Sequence, residues 1–218
     1  MKPNRKPQDG RKPELSLGDT RFRALLTEAE WNALSGEVRR RFSKRVADES
    51  SIIYTGEVVE ARFNIWGRLL AQAARMIGAP LPLHSDTGVA AVVTVTEDAR
   101  VHGQVWTRLY ARRRGFPQVI HTSKRFQGPT GLEEYLGYGV GMSLAVTVED
   151  SAIVFRSVDY FFDLFGLRVK MPAFLRPGDL TIKHAETGAG CFSFTLDLTH
   201  KRLGLLIRQH GLFREVAP

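Results

Sequence analysis

Residues 141–162 read GMSLAVTVEDSAIVFRSVDYFF, and this stretch decides the fold because it predicts a complete β-hairpin. Apolar residues alternate with small or polar ones over residues 142–149, which is the period of a strand with one buried face. Asp150-Ser151 supplies turn chemistry, and a return strand rich in β-branched and aromatic residues begins at Ile153. The rest of the chain is expected to pack against this hairpin.

The length of the predicted turn determines which residues of the hairpin face each other. With a two-residue turn, Val146 lies opposite Phe155 and Ala145 lies opposite Arg156. Counting every second residue places Arg156 and Tyr160 on one face, among small side chains. A guanidinium on such a face must reach a carboxylate, solvent or an anionic ligand. The sequence leaves two alternatives for Arg156: a structural salt bridge, or the cationic anchor of a binding site beside the concave interior of the sheet.

Further strands are predicted on both sides of the hairpin. They cover residues 52–65, 89–96, 101–112, 118–126, 167–171, 180–182, 191–199 and 205–213. Helices are predicted after the capping box Thr27–Glu30 and over Trp66–Ile77, where Gly78 ends the helix. Consecutive strands joined by short turns pair in antiparallel fashion. We therefore expect an α+β fold that is mainly antiparallel β: a strongly curved meander sheet or open barrel of about ten strands, with the N-terminal helices packed on it.

Composition is typical of one soluble globular domain, with 218 residues, 43% hydrophobic and 25% charged. The single Cys191 excludes an intrachain disulfide and a cysteine metal cluster. The chain has no apolar run of about eighteen residues and no signal-peptide pattern, so we expect no transmembrane segment and a cytoplasmic location.

The formal net charge of +8 is concentrated partly at the N-terminus. Residues 1–13 carry five Lys or Arg side chains against Asp9 alone, which predicts a disordered basic tail over residues 1–19 and a single globular domain over residues 20–218. Two further basic runs, at residues 39–45 and 112–114, are interpreted as solvated faces. No aromatic-glycine RNA-binding signature accompanies them, so no specific nucleic-acid partner is expected.

Several other side chains are candidates for a site. Trp106, Arg108 and Tyr110 share one face of the predicted strand 101–112 and line either a cleft or an exposed sheet face. His184 shares its parity with two apolar neighbours and points inward, either as a core residue or as part of a site. The chain lacks a phosphate-binding loop, metal-binding histidines at helical spacing and a serine nucleophile between glycines, so no catalytic residue, metal ligand or cofactor is assigned.

Some motifs carry a resemblance to a known family. They are residues 155–157 with Tyr160, the GLRVKMP segment at 166–172, residues 175–178 and the segment 190–213, supported by residues 22–26 and 78–83. Over nearly all of residues 20–214 the chain resembles the bacterial family called domain of unknown function 4166. It departs from the family pattern at Lys201 and His210. The resemblance implies stand-alone small proteins, or the C-terminal part of chains that begin with a nucleotide-binding oxidoreductase domain, and it implies no established activity.

A cup lined by apolar and small residues is a natural ligand container, so the leading hypothesis is non-catalytic binding of a small, largely apolar molecule, whether neutral or anionic. The candidate ligand-binding residues are Arg156, Tyr160, Trp106, Arg108, Tyr110 and His184. One alternative is an enzyme or an accessory domain of a nucleotide-dependent oxidoreductase system, with Arg156, Tyr160 and His184 around a pocket. A second alternative is attachment to a membrane surface or to nucleic acid through the basic tail.

Overall fold

The structure, a computed structural model, describes residues 18–44, 46 and 51–216. Its strands are β1 (Ser51–Phe63), β2 (Val89–Asp98), β3 (Gly103–Tyr110), β4 (Gln118–Arg125), β5 (Glu133–Gly137), β6 (Val140–Glu149), β7 (Ala152–Leu164), β8 (Leu167–Lys170), β9 (Asp179–Gly188), β10 (Cys191–His200) and β11 (Gly204–Glu215). Its α-helices are α1 (Glu28–Ala33), α2 (Gly36–Phe42) and α3 (Ile65–Ala73). Short 3₁₀ turns lie at Arg23–Leu25, Ala74–Ile77 and Ala173–Leu175.

The strands form one antiparallel sheet that closes on itself. The order is β6-β5-β4-β3-β2-β1-β11-β10-β9-β7, and an additional pairing of β6 with β7 completes a ten-stranded barrel. β8 is the extra strand and pairs with the C-terminal part of β7, residues 161–164. The predicted antiparallel fold is confirmed. The sequence predicted a curved sheet or an open barrel, whereas the observed barrel is closed and its ten strands have no unpaired edge. β5, which was not predicted, supplies the strand between β4 and β6.

The predicted hairpin is present with the predicted register. Val146 faces Phe155 and Ala145 faces Arg156 across β6 and β7. Asp150 and Ser151 have φ angles of 51° and 61°, as a two-residue type I′ turn requires. Local turn chemistry and alternation were therefore sufficient to predict this pairing.

A β-bulge interrupts the same hairpin farther from the turn. Leu144 pairs with Ser157 but Ser143 pairs with Asp159, so Val158 is an extra residue in β7. One extra residue reverses which face later side chains occupy. As a result, Tyr160 points into the barrel although Arg156 points outward, and the prediction that the two share a face is wrong.

The N-terminal helices close one end of the barrel, which we call the plugged end. It carries the β2–β3, β4–β5, β6–β7 and β9–β10 connections. α1 begins with the predicted capping box at Thr27, and α2 begins at Ser35, whose side chain accepts a hydrogen bond from Val38 N–H. Phe22 and Phe42 pack edge to face with their ring centroids 5.0 Å apart, and Phe22 also contacts Phe155 at 6.1 Å. This aromatic plug fills the barrel at the level of the β6–β7 turn.

Helix α3 covers the opposite end, which we call the α3 end. Asn64 caps the helix by accepting a hydrogen bond from Gly67 N–H at 2.8 Å, and the 3₁₀ turn that follows ends at Gly78, with a φ of 98°. The predicted helix 66–77 with a glycine stop is thus present. Gly67 packs directly on β11: a Cβ built there would lie 2.0 Å from the Leu206 carbonyl oxygen. The absence of a side chain at residue 67 lets the helix lie flat on the barrel.

Only part of the predicted tail falls within the described residues. Residues 1–17 lie outside them, and the tail hypothesis stays a prediction there. Asp19 is buried and forms an ion pair with Arg21 at 2.7 Å, so this residue belongs to the folded unit. The basic run in α2 is divided: Arg40 pairs with Glu37 at the surface, whereas the side chain of Arg41 is only 8% exposed and its guanidinium carbon lies 3.7 Å from the centre of the Phe192 ring.

No helix among the described residues is both long and apolar enough to cross a lipid bilayer.

The contact between α3 and β11 gives the first testable prediction. Gly67→Ala forces the helix away from Leu206, and we expect a loss of about 1–3 kcal/mol in the free energy of unfolding. Gly36→Ala in α2 is the matched control, because a Cβ at Gly36 meets no atom within 4 Å and alanine favours the helix by up to about 1 kcal/mol. Urea unfolding of both variants measures the difference. Equal stability of the two variants would contradict the close packing of α3.

Candidate functional site

A cavity of about 250 Å³ lies inside the barrel beneath α3. Its upper wall comes from α3, the segment 74–82 and the β8–β9 connection, and its sides come from inward-facing residues of the strands. Nineteen of the twenty-five lining residues are apolar. The remaining six are Arg108, Tyr110, Thr122, Glu134, Tyr160 and Gln209. The space therefore suits a mainly apolar molecule with one polar group.

Three of the polar lining residues, Arg108, Thr122 and Glu134, form one buried cluster with Lys124. Lys124 Nζ donates to Glu134 Oε2 at 2.8 Å, and Arg108 Nη2 lies 3.7 Å from Glu134 Oε1. Arg108 Nη1 donates to Thr122 Oγ1 at 3.0 Å. All four side chains are buried. One carboxylate thus faces two cations, and the cluster has an excess of one positive charge.

Electrostatics keep Glu134 ionised despite its burial. Burial alone raises the pKa of this carboxyl, but the charges of Lys124 and Arg108 outweigh it and hold the pKa below its ordinary value. Burial lowers the pKa of Lys124, and the attraction of Glu134 offsets this only in part. A guanidinium is a permanent cation in proteins, and Arg108 lines the cavity whereas Lys124 is not among the lining residues. Arg108 therefore carries the cationic excess toward the cavity.

Several polar groups in the cavity have hydrogen-bonding capacity left over. The Arg108 guanidinium has five N–H donors and makes one side-chain hydrogen bond among the described residues. The side-chain amide of Gln209 is buried, lines the cavity and makes none within the described ranges. Burial raises the pKa of Tyr160 to about 12 against the opposing effect of a hydrogen bond with Ser157, so its phenol is neutral. Buried polar groups of this kind normally have a partner, and the cavity is the space in which one fits.

The cluster gives a second prediction. Glu134→Gln leaves two buried cations without a counter-charge, and we expect a loss of about 3–5 kcal/mol in the free energy of unfolding. Glu149→Gln is the matched control, since its ion pair with Arg156 is exposed and such pairs contribute about 0–1 kcal/mol. Chemical denaturation at neutral pH measures both. A loss no larger for Glu134→Gln than for Glu149→Gln would show that the buried charges are not coupled.

The structure brings together three of the six predicted site residues. Arg108, Tyr110 and Tyr160 line the cavity. Trp106 also points into the barrel but lies closer to the plugged end than the cavity does, and Lys124 Nζ lies 5.4 Å from the centre of its ring. Its role is to pack between the charge cluster and the aromatic plug.

Arg156 lies on the outer face of the barrel, so its predicted place beside the concave interior is wrong. Its Nη2 contacts Glu149 Oε1 at 2.6 Å, its Nη1 donates to Thr147 Oγ1 at 2.9 Å, and its side chain is 40% exposed. Phe155, the neighbour of opposite parity, points into the core. The salt-bridge alternative for Arg156 is the one that the structure shows.

His184 points inward, as its parity indicated, but into the plugged half of the barrel. Its ring lies against five aromatic rings at centroid distances of 5.2–6.1 Å, and its Nδ1 has no hydrogen-bond partner among the described residues. Burial lowers its pKa well below the ordinary value, and the charges of Arg41, Lys124 and Arg108 lower it further. It is therefore a neutral core side chain. Arg156, Tyr160 and His184 are not brought together around one pocket.

The lowered pKa of His184 gives a third prediction, with a defined sign. The unfolded chain binds a proton at this histidine below about pH 6.5, whereas the folded chain does not until a much lower pH. Stability supplied by His184 is therefore complete above the unfolded pKa and decreases as the pH falls below it. Wild-type protein should lose stability between pH 7 and pH 5 by up to about 1.4 kcal/mol per pH unit at this site.

His184→Phe keeps an aromatic ring in the cage and removes the titration. We expect its free energy of unfolding to fall less than that of wild type between pH 7 and pH 5. Denaturant titrations at both pH values provide the comparison. Parallel pH profiles of the two proteins would contradict the buried neutral state of His184.

Four polar residues of the site were missed by the sequence analysis: Thr122, Lys124, Glu134 and Gln209. On β4, Lys124 follows Ile120 and Thr122 at intervals of two residues, and all three are buried. Alternation along this strand could therefore have predicted that Lys124 points inward. Glu134 lies on the short strand β5, where both it and its neighbour Glu133 are buried and no alternation marks either. Gln209 lies in a strand that was predicted, but a glutamine in such a position gives no sign of its surroundings.

Fold and cavity together define the class of protein: a closed antiparallel β-barrel, plugged at one end, with an apolar internal cavity next to a buried charge cluster. A family model described as "Domain of unknown function (DUF4166)" matches residues 34–213. The chain therefore belongs to this family, and the resemblance noted in the sequence is confirmed. Comparisons with curated proteins and with solved structures gave no match.

Proposed function

We propose that the barrel binds one small amphiphilic molecule, with an apolar body and an anionic head group, without acting on it chemically. The observation that carries the proposal is the position of Arg108, a buried cation with unused donors at the polar corner of a largely apolar cavity. Ligand pockets typically combine an apolar lining with a few polar groups that orient the guest.

The energetics of Arg108 favour an anionic guest. A buried cation without a full counter-charge is costly, and a carboxylate placed beside the guanidinium offsets that cost with charge-assisted hydrogen bonds. Glu134 cannot serve both cations equally, since it lies at 2.8 Å from Lys124 and at 3.7 Å from Arg108. The anchor that was assigned to Arg156 from the sequence is therefore reassigned to Arg108.

The volume of the cavity limits the size of the guest. At about 250 Å³ it lies just below the range of about 300–1,000 Å³ that is usual for ligand pockets, so the guest must be small. A medium-chain carboxylate such as decanoate has the required chemistry: one flexible apolar chain and one head group.

The fourth prediction tests the anchor. Isothermal titration calorimetry of wild type with decanoate should show one site, and Arg108→Met should weaken that binding. A hydrogen bond to a charged group contributes about 1.5–3 kcal/mol, which corresponds to an affinity loss of roughly ten-fold to a hundred-fold. The substitution leaves the ion pair of Lys124 with Glu134 in place, so the barrel is expected to fold.

Two controls accompany this measurement. Arg156→Met is the same type of substitution on the outer face of the barrel, and it should leave decanoate binding unchanged. Decanol has the same chain without the charge, so wild type and Arg108→Met should bind it equally. Equal decanoate affinity in wild type and Arg108→Met would overturn the anchor role, and failure of wild type to bind either compound would overturn the proposed function for this ligand class.

A further inference from the structure

The surface of the α3 end is unusually apolar. Within the described residues, eleven large apolar or aromatic side chains are at least half exposed, and all of them lie in the segments 64–88, 111–117, 138–139 and 164–178. They are Ile65, Trp66, Leu69, Met76, Phe116, Tyr138, Leu164, Phe165, Leu167, Phe174 and Leu175. Exposed apolar groups concentrated on one surface indicate an interaction site.

These segments form a continuous rim around the α3 end. The β5–β6 turn contacts the end of the α3 segment, because a Cβ on Gly137 would lie 2.4 Å from the Ile77 carbonyl oxygen. The same turn reaches the β7–β8 hairpin through a hydrogen bond from Asp163 N–H to the Gly139 carbonyl oxygen at 2.6 Å. On the other side, Asn64 Nδ2 donates to the carbonyl oxygen of Leu203 in the β10–β11 turn at 3.0 Å. The exposed apolar groups therefore lie on one connected surface.

Positive charge accompanies the apolar groups. Together with the β10–β11 turn at 201–203, these segments contain ten Arg or Lys residues and one Asp, a formal net charge of +9, whereas the entire chain has +8. Ion pairs within the described residues engage Arg112, Arg168, Lys170 and Arg176. The others, among them Arg68, Arg114 and Arg202, form none within that part of the chain. The α3 end therefore carries an excess of positive charge.

Two tight turns at this end place aromatic residues where the backbone disfavours them. Tyr138-Gly139 and Phe165-Gly166 are two-residue turns in which the aromatic residue has a φ of 47° or 53°. Asn or Asp is the preferred residue at this position, and a bulky side chain with positive φ is an outlier. The equivalent turns at the plugged end carry Asp150 and Ala189 instead. An exposed aromatic ring in a disfavoured conformation stabilises nothing within the barrel.

We propose that the α3 end docks on a membrane surface that contains anionic lipids, with the aromatic tips of Tyr138 and Phe165 and the outer face of α3 entering the head-group region. Charge complementarity selects this occupant, since the net charge of +9 attracts anionic head groups while apolar tips gain by entering the interface. The cavity lies directly beneath this surface, so docking places it next to a source of amphiphilic molecules.

The test is sedimentation of the 218-residue chain with vesicles of phosphatidylcholine alone and of equal parts phosphatidylcholine and phosphatidylglycerol. Wild type is expected to bind the anionic vesicles more tightly, with binding that weakens as salt is added. In the double variant Tyr138→Asn and Phe165→Asn, asparagine suits both turns, so folding stability is unchanged or raised. Its partitioning onto anionic vesicles should nevertheless fall by about ten-fold or more, because two aromatic rings no longer enter the interface.

Trp66 offers a direct readout of the docked surface. It is half exposed on α3, while the other two tryptophans, Trp31 and Trp106, are buried. Brominated acyl chains in the anionic vesicles should quench the fluorescence of wild type, and Trp66→Phe should remove that quenching. Ala189→Asn is the control for the introduced residue, since it places asparagine at the equivalent turn position of the plugged end and should leave vesicle binding unaltered.

Three outcomes would overturn the inference. They are absence of wild-type binding to anionic vesicles, equal binding by the double variant, and self-association of wild type that the double variant loses while Trp66 stays unquenched. The last outcome would identify a second copy of the chain as the occupant. The docking inference is independent of ligand binding, because the double variant keeps every residue of the cavity and its decanoate titration should match that of wild type.

Discussion

β7 pairs with β6 along one edge and with β9 and β8 along the other, and this double pairing forces the sheet to close. A closed barrel of ten strands has a wide interior, wider than the eight-stranded barrels that side chains just fill. The chain fills the space in three different ways along the axis. Aromatic rings from the N-terminal helices occupy one end, the charge cluster of Glu134 occupies the middle, and the other end retains a cavity beneath α3. The position of the cavity is thus a consequence of closure together with a plug at only one end.

Much of the fold could be predicted because its determinants are local. Alternation, turn residues and the glycine stop after α3 specified the strands, the register next to Asp150 and the end of the helix. Closure depends on pairings between strands far apart in sequence, such as β1 with β11, and no local pattern encodes them. The bulge at Val158 had no signal either, since the residue is a good strand former that continues the run of β7.

The same distinction explains the outcome at the site. Trp106, Arg108 and Tyr110 were correctly grouped on one face, because β3 runs without a bulge through both of its pairings. Arg156 was grouped with Tyr160 by counting parity through the bulge, and its anchor alternative took small neighbours as a sign of interior space. In the barrel, small residues beside Arg156 face outward and leave room for its contact with Glu149. The role of Glu134 could not be predicted from the sequence, since its partners Lys124 and Arg108 lie on other strands.

Apolar side chains of similar volume in place of Arg108, Lys124 and Glu134 would avoid the desolvation of three charges, and replacements of this kind are often neutral or stabilising in other proteins. The cluster is therefore difficult to explain as a device for stability. A sequence that otherwise satisfies local and global preferences usually departs from them at functional positions. In this barrel the departures occur at two levels of the same half: a cation with unused donors at the polar corner of the cavity, and aromatic residues with positive φ on the rim above it. Both are costly to the isolated molecule, and each matches the chemistry of the partner that we propose for it: an anionic amphiphile in the cavity and an anionic lipid surface at the rim.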